Sequence, residues 1–298
     1  MNHQALLSGL SKERCKNLTQ RLDRPALVHL ASHGGLIFVF GLAIYLGLPG
    51  WQLLLIPQGI LIVFLFTLLH ESVHQTLFRT PWLNGVAARV SGFLLFLPST
   101  WFKYFHLAHH RFTQIPGKDP ELAIEKPKTR LGFVKYISGI PTWFGHFKTL
   151  LHNATGDCNA DFLPKKAEPS IVSESRLLIL SYTLMFSGAL LFGSTALFWI
   201  WILPVFLGQP FLRLFLLAEH GLCPTVANVS DNTRTTFTNQ IVRFIAWNMS
   251  YHTEHHTYPS VPFHKLPELH KIMQPELIHI EPSYSSFMGK YISQLTVK

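Results

Sequence analysis

Residues 25–70 read PALVHLASHGGLIFVFGLAIYLGLPGWQLLLIPQGILIVFLFTLLH, 46 positions without a single Asp, Glu, Lys or Arg. A helix that crosses a bilayer needs about 20 apolar residues. The stretch is long enough for two, predicted at 27–48 and 52–70, with Pro49-Gly50 as the turn between them. A second charge-free run of 36 residues, Leu177 to Leu212, predicts another pair at 177–195 and 198–217. The break falls near Gly193-Ser194 or near Pro204, and Arg213 can snorkel at the interface beyond it. The alternative, buried helices of a soluble core, would need two charge-free runs longer than such a core uses. Composition agrees with the membrane reading: only 14% of residues are charged, where about 25% is usual.

Between the two pairs, the apolar stretch from Arg89 to Lys103 has only 13 uncharged positions, too few for a comfortable span. It predicts an interfacial or re-entrant helix. Residues 131–151 mix aromatics with scattered Lys and His and read as a second interfacial segment. Lys and Arg collect before the first helix, between the pairs and after the last helix. The turns at 48–52 and 193–197 carry none. The positive-inside rule then places both termini and residues 71–175 in the cytoplasm. The expected fold is an all-α integral membrane protein, one domain over 1–298. Four transmembrane helices form two hairpins, with interfacial helices and a cytoplasmic, histidine-rich cap made of 71–175 and 218–298.

The net charge of +9 flanks the apolar runs, which suits a lipid bilayer surface and not nucleic acid. Cys15, Cys158 and Cys223 are far apart and form no thiolate pair, which argues against a disulfide framework or a cysteine zinc site. Residues 1–26 are basic, without an apolar core and a small-residue cleavage site, so they do not read as a secretory signal.

The 17 histidines are the unusual count. Three clusters stand out: His70-Glu71-Ser72-Val73-His74, His106-Leu107-Ala108-His109-His110 and His252-Thr253-Glu254-His255-His256. On a helix, residues three or four apart share a face. Each pattern therefore aims two or more imidazoles at one point, and imidazole suits Fe, Zn, Cu or Ni. All three clusters fall on the same expected face of the membrane, provided residues 90–102 do not cross it. His220, at the end of the last apolar run, sits at that same interface. It is either a further ligand or an ordinary buried histidine. His3, His29, His33, His146, His152, His264, His270 and His279 lie outside the clusters and read as surface, interface or core residues.

These residues resemble the membrane fatty acid desaturase superfamily of histidine-box enzymes, over about residues 30–275. The segment from Trp247 to Pro262 and the segment His109-His110-Arg111-Phe112-Thr113 with Asp119-Pro120-Glu121 are similar to bacterial members. Glu219-His220-Gly221 is similar to the extra histidine box of the related alkane hydroxylases and desaturases. The resemblance implies two iron ions with O2 as co-substrate. It implies His70, His74, His106, His109, His110, His220, His252, His255 and His256 as ligands, and Asn248 as a further ligand or a holder of water. It also implies O2-dependent desaturation of a fatty-acyl chain. Hydroxylation, ketolation or desaturation of another amphipathic hydrocarbon are the alternatives inside the superfamily. Asp119, Glu121 and Glu254 are candidates to accept hydrogen bonds from ligand imidazoles, or else are exposed acids and caps. The Phe-rich stretch from Phe93 to Phe105 either lines an acyl tunnel or packs the interior. Some relatives carry a fused haem domain. Here Ser32-His33-Gly34-Gly35 lies inside an apolar run and does not read as haem, so a separate electron donor of ferredoxin or cytochrome b5 type is expected. In a bacterium the site of action would be the inner membrane, with the active site cytoplasmic.

Two rival readings remain. His70-Glu71-x-x-His74 is also the zinc metalloprotease pattern, with Glu71 as general base. That reading leaves the other two clusters without a role. A metal transporter would want polar ligands within the spans, whereas these clusters sit at span ends and beyond.

Overall fold

The structure is a computed structural model and describes residues 9–297. His3 lies outside the described residues. A short helix α1 (Lys12–Leu18) leads into α2 (Asp23–Tyr45). Gly47 and Gly50, both at positive φ, turn the chain into a second rod. A 3-10 turn (Trp51–Leu54) opens that rod, followed by α3 (Leu55–Val63) and α4 (Leu65–Val73). Next come α5 (Pro81–Leu94), α6 (Ser99–Phe112), α7 (Arg130–Ile137), α8 (Ile140–Thr155) and α9 (Glu168–Leu191). A π-helical turn (Phe198–Ile202) opens α10 (Leu203–His220). The cap continues with α11 (Val229–Asn232), α12 (Gln240–Ile245), α13 (His252–Thr257), α14 (Leu266–Met273) and α15 (Tyr284–Ser293). Among the described residues the only sheet is the two-residue parallel pair β1 (Thr235–Thr236) and β2 (Ile280–Glu281).

Three helical runs are long and apolar enough to cross a membrane: Lys12–Tyr45, Trp51–Val73 and Phe198–His220. They coincide with three of the four expected spans. The fourth expected span corresponds to α9, which falls short by this measure. Glu168, Glu174 and Arg176 occupy its first turns, so Leu177–Leu191 leaves only 15 charge-free helical residues. At about 1.5 Å per residue this covers roughly 22 Å of an apolar layer about 30 Å thick. Its free end is nevertheless coated in bare hydrocarbon, with Leu190, Leu191 and Phe192 each more than 80% exposed.

The second rod and α10 cross at backbone contact. A Cβ on Gly59 would collide with the Pro204 carbonyl, and one on Gly208 with the Gly59 backbone. Without a hydrophobic driving force inside a bilayer, small residues let helices gain dispersion contacts by close approach. This crossing holds α4 and α10 so that His70 and His220 arrive at the same end of the bundle.

The expectation of one short helix over 90–102 is corrected. That stretch straddles a bend of 102° between α5 and α6. Phe96 takes a positive φ there. A helix end leaves carbonyls without partners, and here distant side chains supply donors. Tyr182 Oη donates to Phe93 O (2.7 Å), Trp201 Nε1 to Leu94 O (2.9 Å) and His146 Nδ1 to Leu95 O (2.9 Å). At the start of α6 the Glu174 carboxylate accepts from the Ser99 and Thr100 amides at 3.0 and 2.8 Å. The bend is thus fully built, and α6 is aimed into the cap. Phe93 and Phe96 pack on Tyr182 and Trp201 at this bend, and Phe102 and Phe105 belong to a neighbouring core cluster. Packing is the role the structure gives the Phe-rich stretch. The exposed Leu131, Val134, Ile140, Phe144 and Leu151 lie on α7 and α8, an apolar surface that suits the expected interfacial segment.

Two histidines outside the clusters tie α2 to the cap. His29 Nε2 donates to Phe244 O (2.8 Å). His33 Nε2 donates to Leu61 O (2.9 Å), and its Nδ1 accepts from Trp247 Nε1 (3.2 Å). His33 is therefore a core residue with both nitrogens used.

Candidate metal centre

Four elements deliver imidazoles to one buried region. α4 ends in His70 and His74, α6 carries His106, His109 and His110, α10 ends in His220, and α13 carries His252, His255 and His256. A left-handed turn at Trp247 and Asn248 precedes α13, with Trp247 wholly buried beneath it.

The nine histidines sort into two sets. His70, His74, His106, His110 and His255 form one, and His109, His220, His252 and His256 the other. Within each set, one nitrogen from every residue lies within 4.8 Å of all the others. Nitrogens of separate helices face each other directly. His74 Nε2 is 2.8 Å from His106 Nε2, His110 Nε2 is 3.2 Å from His255 Nε2, and His220 Nε2 is 3.1 Å from His252 Nε2. Among the described residues, neither nitrogen of His70 meets a hydrogen-bond partner, nor does His256 Nε2. Buried polar groups normally find partners. Orphaned imidazole nitrogens aimed at a common point fit a metal ion, and an all-imidazole donor set fits iron among the first-row metals.

The surroundings orient the rings. His109 Nδ1 faces both Asp119 oxygens (3.0 and 3.1 Å) and Glu121 Oε2 (3.0 Å). His220 Nδ1 donates to Asn232 O at 2.9 Å, which fixes its proton there and leaves Nε2 as the donor atom. Thr113 Oγ1 donates to His109 O (2.7 Å) and so accepts from His256 Nδ1 (3.2 Å). Glu219 Oε1 lies 3.4 Å from His252 Nδ1. Outer partners of this kind set tautomer and ring orientation in metal sites.

Burial depresses the basicity of most of these rings. His74 falls from 6.5 to about 3 through loss of hydration and the neighbouring His109. His252, His255 and His256 lie well below their ordinary value, first by burial and then by the charge of neighbouring imidazoles. Such rings are neutral near pH 7, the state that binds a metal. His109 departs from the pattern. Burial lowers it, but the Glu121 and Asp119 carboxylates outweigh burial and hold its pKa above the usual value.

Asp119 and Glu121 thus stand where the sequence reading expected them. Glu254 does not: its carboxylate accepts from Thr235 Oγ1 and pairs with His270 Nδ1, neither of which belongs to the two sets. It braces α13 against β1 and α14. Asn248 uses its amide elsewhere as well, accepting from Arg243 Nε (3.2 Å) and donating to Phe263 O (3.0 Å). Glu71 Oε1 accepts from Thr76 Oγ1 (2.9 Å) and the Phe263 amide (3.1 Å), tying α4 to the loop after α13. Three partners went unforeseen. Thr113 follows His109 by one helical turn, a spacing that could have suggested it. Glu219 adjoins His220. Asn232 acts through its backbone carbonyl, which carries no side-chain signature.

This geometry meets an independent finding. Residues 45–287 match the fatty acid desaturase family, and the chain belongs to that family of oxidoreductases. Among curated proteins it is similar to "Sphingolipid delta(4)-desaturase DES1-like" of Oryza sativa subsp. japonica, 28% identical over 78% of this chain and 67% of the relative. It is similar also to the protein of the same name from Arabidopsis thaliana, 27% identical over 78% and 67%. A membrane protein with a lipid substrate follows from the family, and the metalloprotease reading of His70-Glu71-x-x-His74 is left without support.

Proposed function

We propose that this chain introduces a double bond into a fatty-acyl chain, using O2 as oxidant and two iron ions, one in each histidine set. The observation that carries the reading is the sorting of nine histidines, seven of them buried, into a set of five and a set of four. A single mononuclear site would use about half of them. Iron, when bound, supplies the oxidising power that an unactivated methylene requires. Overall, O2 takes up two substrate hydrogens, two protons and two electrons, and leaves as two waters beside the new double bond. The electrons come from a donor protein of ferredoxin or cytochrome b5 type.

The chain's own contribution is positional. Asp119 and Glu121 hold His109, the Asn232 carbonyl holds His220, and Thr113 holds His256, each through Nδ1. Buried walls keep bulk water from the ligands, and Glu71 ties the first box to the third. Hydroxylation remains the second reading, because it differs only in whether the second hydrogen is removed before oxygen is transferred.

We also read four membrane crossings, α2, the 51–73 rod, α9 and the 198–220 rod, with both termini and the histidines in the cytoplasm of a multi-pass protein. In a bacterium this is the inner membrane. The test of the central reading is elemental analysis of protein produced with iron supplied, together with lipid analysis of expressing cells. About two irons per chain and a new unsaturated acyl product are expected. Stoichiometric zinc without iron would sink the diiron reading.

A further inference from the structure

His33 lies in α2, in the first proposed span, and is wholly buried. A polar side chain at membrane depth is costly and points to a function. Both of its nitrogens reach away from α2. Nε2 donates to the Leu61 carbonyl at 2.9 Å, and Nδ1 accepts from Trp247 Nε1 at 3.2 Å. The partners force these roles, because a carbonyl only accepts and an indole N–H only donates. One neutral ring therefore bridges two other segments of the chain.

Those segments lead into histidine boxes. Leu61 is in the last turn of α3, where carbonyls lose their helical donors, and it precedes His70 by nine residues on the same rod. Trp247 precedes His252 by five residues. Trp247 and Asn248 take φ of 51° and 59°. Two successive left-handed residues, one of them aromatic, are strained and persist only where their surroundings hold them. His33 holds the Trp247 indole. His29, one helical turn earlier, packs on it with ring centres 4.1 Å apart and donates to the Phe244 carbonyl at 2.8 Å. The Asn248 amide is fixed on both sides, by Arg243 Nε and by the Phe263 carbonyl. Beyond α13, the Phe263 amide donates to Glu71 Oε1 at 3.1 Å. The 51–73 rod thus fastens α13 both before its first residue and after its last, and His33 is the earlier fastening.

We propose that His33 is a positioning residue for the metal centre. Through Trp247 it sets the register of α13 against α4, and with it the placing of His252, His255 and His256. The proposal rests on the metal reading of the two histidine sets. It also says which set depends on His33 more. α13 supplies His252 and His256 to the set of four, half of its members, but only His255 to the set of five. Loosening α13 therefore weakens the four-histidine set first.

The test is titration of metal-free, full-length protein in detergent micelles with Co2+, followed by visible absorption. Cobalt stands next to iron in the affinity order of divalent metals. The wild type is expected to take up two ions per chain in two steps. His33→Phe keeps a ring and loses both bonds. It should weaken one step about tenfold, the lower end of what loss of an outer partner costs, and leave the other nearly unchanged. Trp247→Phe should weaken the same step. If the two residues act through one bond, the double variant is no weaker than the worse single, whereas independent effects would multiply. Gln58→Leu is the control for general destabilisation. It removes a buried hydrogen bond to the Ile200 carbonyl (3.2 Å) at the other end of the rod and should leave both steps in place. If His33→Phe does not accumulate, His33→Asn decides. Asparagine places Oδ1 where the ring has Nδ1, so it keeps an acceptor for the indole and should keep both steps while Trp247→Phe weakens one. Unchanged steps in His33→Phe or Trp247→Phe, multiplying losses in the double variant, equal losses in His33→Asn and Trp247→Phe, or the same loss in Gln58→Leu each overturn the proposal alone. Wild-type protein that takes up no cobalt, or a single ion, overturns the two-ion reading and this proposal with it.

Discussion

At the scale of single residues, the three boxes separate ligands from braces. His109 and His256 belong to the four-histidine set and each is oriented by an outer partner. Alanine at either should abolish product, with iron content falling below that of the wild type. Glu71 is different, because its Oε1 serves Thr76 and the Phe263 amide. Glu71→Gln keeps that oxygen and should retain measurable turnover at matched membrane levels. If both histidine variants stay fully active while Glu71→Gln is dead, the two-set site is wrong. Asp119→Asn tests orientation. It keeps the shape but weakens the acceptor at His109 Nδ1, and losses at such outer partners run about 10–100-fold in metal affinity or activity. Iron content and product yield measured on the same preparation would check this; wild-type values in both would remove Asp119 from the site. The clustering of these histidines was legible because helical spacing is written in the side chains themselves. Asn232 was not, because any residue offers the same carbonyl. Glu254 was misread because proximity in sequence to His252 and His255 says nothing about which side of α13 it faces.

At the scale of elements, the long apolar runs were readable from charge alone, while the break between α5 and α6 was not. A 13-residue apolar run looks the same whether straight or bent. What makes the bend possible is donors from Tyr182, Trp201 and His146, 51 to 107 residues away in sequence. The crossing of α3 and α10 was equally hidden, since Gly59 and Gly208 carry no mark of being partners until the helices meet. It yields a stability prediction. A methyl at Gly208 has backbone on its far side and no flexible side chain to push away. Overpacking of this kind costs about 1–3 kcal/mol. Gly208→Ala should therefore lower the melting midpoint of the detergent-solubilised protein, followed by tryptophan fluorescence. Gly188→Ala, which meets open space, should leave it unchanged. Equal midpoints for the two variants would mean that the bundle is not held by this contact.

At the scale of the whole molecule, the histidines themselves constrain the path through the membrane. The 51–73 rod and the 198–220 rod both bring histidines to the centre at their C-terminal ends. In the proposed four-crossing arrangement both start from the opposite face, and the chain crosses back between residues 74 and 197. Two elements could do this. The α5–α6 pair begins beside the start of α2, where Asp23 accepts from the Thr80 amide (2.9 Å), and it ends in the second histidine box. It therefore starts and finishes on one face. In this proposed arrangement the crossing is assigned to α9 despite its short charge-free length. A shorter apolar helix is accommodated by thinning of the bilayer and snorkelling of flanking residues, at fractions of a kcal/mol per Å. The Lys and Arg before α2 and after α10 then set the sign. Reporter fusions at Lys298 should read as cytoplasmic, and insertions after Pro49 and after Gly193 should both read as the opposite side. An insertion after Gly193 that reads as cytoplasmic would take α9 out of the membrane. The histidines of α10 and α4 would then have to approach from opposite faces, and the single centre built from both could not form.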